Sequence, residues 1–360
     1  MPIDYFRVLS IDGGGIRGII PATVLAKVEE LSNSTISALF DLIVGTSTGG
    51  ILALGLTAPD QARRPRNAAH ALLELYTSKA ESIFPGGGPP DWKQRLLGTR
   101  EPADLLRNLG KILWRSAQRA GAPFGGNPRF AGSARYFGTG LEEALDEQIG
   151  DTPLSDALTR VLITSYDVAY GEPVLFTSFN WPPGAIIGVP MRIAARATSA
   201  GPAFFEPQLL DVGTKQRVLV DGGVFANNPS LIAYALGSEL AAQAGRPLFL
   251  LSLGTGTPNP TRPQTAAEIK AKNWMGTARY VFEAAMTGTG ELADMLLPHL
   301  MNVPGHPERY VRIQTTVENC NFAMDDSSTE NTRCLAELAI RIIEREALQL
   351  RTICSTLLSA

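Results

Sequence analysis

Histidine and cysteine are scarce in this chain of 360 residues, which has three of each. The histidines, His70, His299 and His306, form no pair or acidic cluster at ligand spacing, so no metal site is expected. Cys320, Cys334 and Cys354 fall close to the C-terminal end, odd in number and without C-x-x-C spacing. Neither a disulfide framework nor a zinc site is therefore expected. Missing too is the run of about 18 apolar residues that a membrane span needs. Asp4 and Arg7 stand where a signal peptide would be apolar, and the protein is expected in the cytoplasm. Charge of a single sign is absent, with 32 Lys+Arg against 35 Asp+Glu and a net charge of −3. That balance excludes a uniformly basic binder of nucleic-acid polymers. With 44% hydrophobic and 19% charged residues, disorder is excluded as well.

What is present is a series of short apolar runs rich in β-branched residues, most ending in glycine or serine. They lie at Arg7–Ile11, Leu42–Val44, Val161–Tyr166, Val174–Phe179, Arg192–Ala194, Arg217–Val220 and Leu248–Leu253. Between the first two, Leu25, Val28 and Leu31 recur at helical spacing within Ile19–Leu31, and Gly49–Leu56 forms a second helical segment. Strand, helix, strand and helix within about 50 residues predict a mostly parallel sheet covered on both faces. Two regions depart from this pattern. Asp60–Phe130 reads as helices without strands and carries 12 Lys/Arg against 6 Asp/Glu. Asn331–Leu350 predicts one amphipathic helix with Leu335, Leu338, Ile342, Ile343 and Leu348 on its apolar face. It follows a turn in which Asp325 and Asp326 are expected to be solvated.

Three glycine-rich segments each follow a strand. Gly45-Thr46-Ser47-Thr48-Gly49 has the G-x-S-x-G pattern in strand-to-helix context, which suits a sharp turn that lifts a serine hydroxyl to the positive end of a helix. Alone, the pattern also fits a glycine turn with a capping serine. Asp12-Gly13-Gly14-Gly15-Ile16-Arg17-Gly18 can turn successive backbone N–H groups into one concavity, suited to a phosphate or an oxyanion. Its Gly13-x-Gly15-x-x-Gly18 spacing also matches a dinucleotide fingerprint. The acid that fingerprint needs at the end of the second strand is missing, because Asp41 stands at that strand's start. Asp221-Gly222-Gly223 follows Arg217–Val220 and precedes Asn227-Asn228-Pro229. Each segment is expected at the carboxyl end of a parallel strand, where open α/β sheets place ligands.

In this order the three segments resemble the signature motifs of the patatin-like phospholipases. Ala195–Phe205 and Asn227-Asn228-Pro229 are also similar to stretches of that family, with Gly201-Pro202-Ala203-Phe204 where Ala-Pro-Thr-Tyr is more usual. That difference bears on packing or on the shape of the acyl site. The resemblance implies a three-layer α/β sandwich with a catalytic core at 7–231 that contains the basic insert 60–130. The rest of the α/β domain would occupy 232–320 and a helical tail 321–360. It implies no cofactor and a Ser–Asp dyad without histidine, in which Ser47 attacks an acyl ester and Asp221 takes its proton. N–H groups around Gly14, Gly15 and Ile16 would hold the oxyanion, with Arg17 steadying the loop or a lipid phosphate. A triad using His299 or His306 is the competing arrangement, and neither has a preceding strand to deliver it.

The partner implied is a phospholipid membrane surface, met peripherally at the inner membrane. Arg63, Arg64, Arg66, Arg107, Arg115 and Arg119, with Phe84, Trp92, Trp114 and Phe130, could supply charge and interfacial anchoring. They could equally form the solvated faces of helices. Some bacterial relatives of similar size are effectors switched on by a cyclic nucleotide, which implies an anionic regulatory ligand as a further possibility. A catalytically silent sensor of lipid or nucleotide with the same fold is the alternative reading, and intact Ser47 and Asp221 argue against it.

Overall fold

The computed structural model describes residues 3–86, 134–136, 138–259, 274–301 and 309–359. Its centre is one sheet of eight strands in the order β5-β6-β3-β2-β1-β7-β8, with β4 paired to β3. The strands are β1 Phe6–Ile11, β2 Leu42–Gly45, β3 Arg160–Asp167, β4 Glu172–Thr177, β5 Gln208–Val212, β6 Lys215–Asp221, β7 Leu248–Leu253 and β8 Tyr310–Ile313. β1, β2, β3, β7 and β8 run parallel, whereas β4 and β6 lie antiparallel to β3. Asp221 therefore ends an antiparallel strand, not the parallel one expected. β2 pairs with β3 along Arg160–Ile163 and β6 along Ser165–Asp167, while β4 spans both stretches from the other edge. β2 and β6 thus meet end to end on one edge of β3, Gly45 opposite Ile163 and Asp221 opposite Ser165. Two residues of strand separate these partners, roughly 7 Å.

Alternation along the strands divides the core in two. Phe6, Val8, Leu42, Val44, Leu162 and Leu250 face one way. They pack against the helices given below at 230–244 and 274–301. Leu9, Ile11, Ile43, Val161, Ile163 and Leu251 face the other way, into the larger cluster. A sheet buried on both faces is why these strands read as nearly continuous apolar runs. The helices are α1 Ile19–Ser32, α2 Ile36–Leu39, α3 Thr48–Thr57, α4 Ala69–Leu72, α5 Ala80–Ile83, α6 Thr139–Gln148 and α7 Met191–Thr198. They continue as α8 Gly223–Ala226, α9 Ser230–Ala244, α10 Trp274–Met301, α11 Thr329–Arg345 and α12 Ala347–Leu358. The result is the expected α/β sandwich.

Several expectations are corrected. Arg192–Ala194 belongs to α7, whose alanines favour helix and whose Met191, Ala194, Ala195 and Thr198 are buried at helical spacing. The C-terminal segment forms two helices, α11 and α12, and the break leaves Leu348 81% exposed while Leu350 is buried. β5 and β8 carried no signal in the sequence, since the first is a half-exposed edge strand and the second has four residues. Asp325 and Asp326 are buried: Asp325 pairs with Arg135 and accepts the Tyr136 hydroxyl at 2.8 Å, and Asp326 accepts the Asn321 amide at 2.7 Å. Cys320 and Cys334 form a disulfide, against expectation. Counting and spacing missed it because the chain after β8 folds back on the start of α11, bringing their Cα atoms to 5.6 Å.

The described part of the basic insert, 60–86, is short helical turns against the core. Arg64 pairs with Asp60, and Arg66 donates to the Ile149 carbonyl at 2.9 Å. Residues 87–133, with Trp92, Trp114, Phe130, Arg107, Arg115 and Arg119, lie outside the described residues, as does His306.

Candidate active site

The turn after β2 begins with Gly45. A Cβ there would stand 2.4 Å from the Gly49 carbonyl oxygen, and one on Gly49 would stand 2.2 Å from that of Ile11. Neither contact is tolerable, so only glycine at both ends lets α3 begin this close to β1 and β2. Between them Ser47 has φ +54° and ψ −125°, a backbone conformation that costs energy for any side chain. The surroundings enforce it. The Ser47 N–H donates to Thr198 Oγ1 at 2.8 Å, and the Ser47 carbonyl accepts from Ile51 N–H at 3.0 Å. Ser47 thereby sits at the N-terminus of α3, where unpaired N–H groups make the local field positive.

Asp221, at the end of β6, is 2% exposed. Its Oδ1 accepts the Gly223 N–H at 2.7 Å, and the Ser47 side chain lies beside its carboxylate. Burial raises its pKa to about 7, against the lowering effect of the neighbouring Ser47 and of the Gly223 N–H. No ion pair holds this carboxylate among the described residues.

The glycine-rich loop after β1 lies alongside. Gly13 N–H donates to Asn227 O at 2.9 Å, Ile16 N–H to Met324 O at 2.8 Å and Arg17 N–H to Gly14 O at 3.2 Å. Ile16 was expected to face the substrate, and its donor is spent on Met324. Gly14 and Gly15 remain as the loop's available donors among the described residues. Gly15 adopts φ +58°, and a Cβ on it would meet the Met324 carbonyl oxygen at 2.2 Å. Arg17 steadies this loop and does not face a lipid phosphate: its guanidinium donates to Gly14 O at 3.3 Å and Gly256 O at 3.2 Å and lies over the Phe322 ring. Burial pushes it down to about 10, so it stays charged at neutral pH.

Ser47, Asp221 and Gly15 open into one cavity with about 670 Å³ of empty space, the part open to solvent included. Its walls are apolar, among them Ile51, Leu75, Phe84, Phe205, Phe282 and Met286. Gly201 and Phe204, two of the three positions that differ from Ala-Pro-Thr-Tyr, line it as well, whereas Ala203 does not. His70 on α4 and His299 on α10 are exposed and lie outside this wall. No group of His, Cys, Asp and Glu able to hold a metal occurs among the described residues.

The sequence missed Thr198, Met324 and Arg312. Thr198 lay inside a stretch already singled out. The other two are about 300 residues from the loop they support, and no local pattern marks them. Arg312 grips Asp12 by two hydrogen bonds, at 2.9 and 2.6 Å.

Known proteins resemble this chain along most of its length. The description "Patatin-like phospholipase" matches residues 9–234. Patatin-like protein 2 of Oryza sativa subsp. indica is 30% identical over 374 residues, covering 95% of this chain and 85% of that protein. Patatin-T5 of Solanum tuberosum is 29% identical over 369 residues, covering 95% and 84%. Among solved structures, human GIVD cytosolic phospholipase A2 is 12% identical with a TM-score of 0.48, covering 99% of this chain and 60% of that one. Among the described residues no helix is long and apolar enough to cross a membrane. With the match spanning β1 to α9 and taking in all three strand-end motifs, the chain belongs to the patatin-like phospholipase family and is a lipid acyl hydrolase.

Proposed function

We propose that this chain cleaves fatty acyl esters of membrane phospholipids with Ser47 as nucleophile, Asp221 as base and the Gly14 and Gly15 N–H groups as oxyanion donors. The observation that carries this reading is that Ser47 and the buried Asp221 carboxylate, whose pKa burial raises to about 7, line one cavity. A base with a pKa near working pH takes a proton effectively and still gives it back. Ser47 Oγ attacks the ester carbonyl while Asp221 accepts its proton. The negative oxygen of the tetrahedral intermediate is held by the loop N–H groups. Collapse expels the lysophospholipid alkoxide, which takes the proton from Asp221 and leaves an acyl-serine. Water then attacks the acyl group, Asp221 again accepting a proton and returning it to Ser47 as the fatty acid departs. The apolar cavity suits an acyl chain, and the membrane surface is then the natural partner.

Fatty-acid release from phospholipid vesicles tests the reading. Ser47→Ala is expected to lose several orders of magnitude of rate with its fold intact. Near-normal turnover by that variant overturns it. Wild type that binds lipid but releases none from any phospholipid supports a silent sensor instead. Activation by a cyclic nucleotide belongs to the same proposal and is carried by the basic insert, 87–130 of which lies outside the described residues. Rates with and without added cyclic nucleotide test it.

A further inference from the structure

The oxyanion loop is supported from the far end of the chain. Met324 O accepts the Ile16 N–H at 2.8 Å, Gly15 lies against the same carbonyl, and the Arg17 guanidinium carbon stands 3.9 Å from the Phe322 ring centroid. These contacts orient the two residues, Gly14 and Gly15, whose N–H groups stay available. Met324 also lines the cavity that holds Ser47 and Asp221. Yet 320–326 has no helix or strand of its own. Its shape is imposed by the start of α11. Asn321 N–H donates to Asn331 Oδ1 at 2.9 Å, and the Asn331 amide donates to Asp326 O at 2.9 Å. The Cys320–Cys334 disulfide closes the segment covalently around Phe322 and Met324, across a separation of 14 residues.

We infer that 320–326 is a strap that positions the oxyanion loop and that the Cys320–Cys334 disulfide locks it, so that the thiol–disulfide state sets turnover. The inference rests on the reading of Gly14 and Gly15 as oxyanion donors. Met324 and Phe322 are positioning residues, since they act through the loop and not on the reacting atoms. Reduction by a dithiol breaks the sulfur–sulfur bond: two electrons and two protons pass to Cys320 and Cys334 as thiols, and the reductant closes to a cyclic disulfide. The strap then keeps its hydrogen bonds but loses the closure that restricts its alternatives. Losing an oxyanion donor outright costs about 10²–10³ in kcat, so loosening one should cost less.

The test follows hydrolysis of p-nitrophenyl butyrate by the full chain before and after dithiothreitol, with thiols counted under denaturing conditions. Reduction should raise the count from one, Cys354, to three. The expected result is a kcat lower by about tenfold, a KM changed less than twofold, an unmoved acid limb of the pH profile, and recovery on reoxidation. Cys320→Ser with Cys334→Ser should match the reduced protein and ignore dithiothreitol, whereas Cys354→Ala should respond like wild type. Should the double variant fold poorly, Phe322→Leu should lower kcat with the disulfide intact. Unchanged kcat in fully reduced, folded protein overturns the inference. So does a loss in which kcat, KM, the pH limb and circular dichroism all move together, since reduction would then merely unfold the chain. An oxidised wild type that hydrolyses no ester overturns the functional reading first and this one with it.

Discussion

Two strands of this molecule lead into the same tripeptide, Asp-Gly-Gly. β1 runs into Asp12-Gly13-Gly14 and β6 into Asp221-Gly222-Gly223, and the two aspartates are 3% and 2% exposed. Burial raises both, Asp12 to about 6 and Asp221 to about 7. Their partners differ. Asp12 is gripped by Arg312, which also pairs with Asp294. Asp221 faces a hydroxyl and one backbone N–H. A buried carboxylate with a fixed cation is spent on holding the fold, because moving its proton would strand the arginine. One with only a serine for company is free to exchange a proton. On the proposed mechanism the same short sequence would serve structure at one strand end and chemistry at the other, and what separates them is Arg312, on β8.

Substitution should separate the two roles in opposite directions. Asp221→Asn keeps the shape but cannot take the serine proton, so kcat should fall by about 10³ or more. It also removes a buried charge without a cation, so its Tm at pH 8 should equal or exceed that of wild type. Asp12→Asn leaves Arg312 short of a partner, and breaking a buried pair from one side costs about 3–5 kcal/mol. Calorimetry should show a Tm lowered by several degrees, while the folded fraction loses less than tenfold in kcat. If Asp12→Asn were dead and stable, or Asp221→Asn active and unstable, the assignment would be reversed.

The pH dependence gives a smaller effect with a definite sign. Asp221 must be ionised to accept a proton, so kcat/KM for a soluble ester should rise with pH and level off above about 7. Stability attributable to this residue should move the other way. Its carboxyl stays neutral in the fold up to about pH 7 but ionises near its ordinary value of 3.8 in the unfolded chain. Between those values the unfolded state holds fewer protons, and stability declines as pH rises. Asp221→Asn should flatten that part of a Tm-against-pH curve. An activity limb near pH 4 would place the carboxylate in a far more polar setting than the one described.

How legible each part was follows from where its physics resides. The Ser47 turn is local: Gly45 and Gly49 are needed because β2, the turn and α3 crowd one another, so the pattern is written in five consecutive residues. Asp221 could be picked out by its glycines and its strand end, but the direction of β6 could not, since antiparallel pairing with β3 depends on the Gly213 turn and on β5. Ile16 was misjudged for a related reason. Its N–H was expected to be free until Met324, more than 300 residues on, supplied the carbonyl that takes it. Arg312 and Met324 are partners about 300 residues from the loop they support, and neither they nor the Cys320–Cys334 bond carries a periodic signal.

The smallest expected effect concerns the histidines, and it sharpens the contrast between the two aspartates. If Asp221 takes the serine proton directly, no imidazole is needed between them, and Ser47 and Asp221 already line the same cavity. His70 lies exposed on α4 and His299 exposed near the end of α10, and neither lines the cavity. His70→Ala and His299→Ala should therefore keep kcat within about twofold of wild type, because neither touches the reacting atoms. His306→Ala, at a position outside the described residues, completes the set with the same expectation. A folded histidine variant without activity would put an imidazole between serine and carboxylate. Asp221 would then orient that imidazole, as in a triad, and would resemble Asp12 in having a cationic partner whenever the imidazole is protonated. Equal activity in all three variants would leave a carboxylate without a cation as the base.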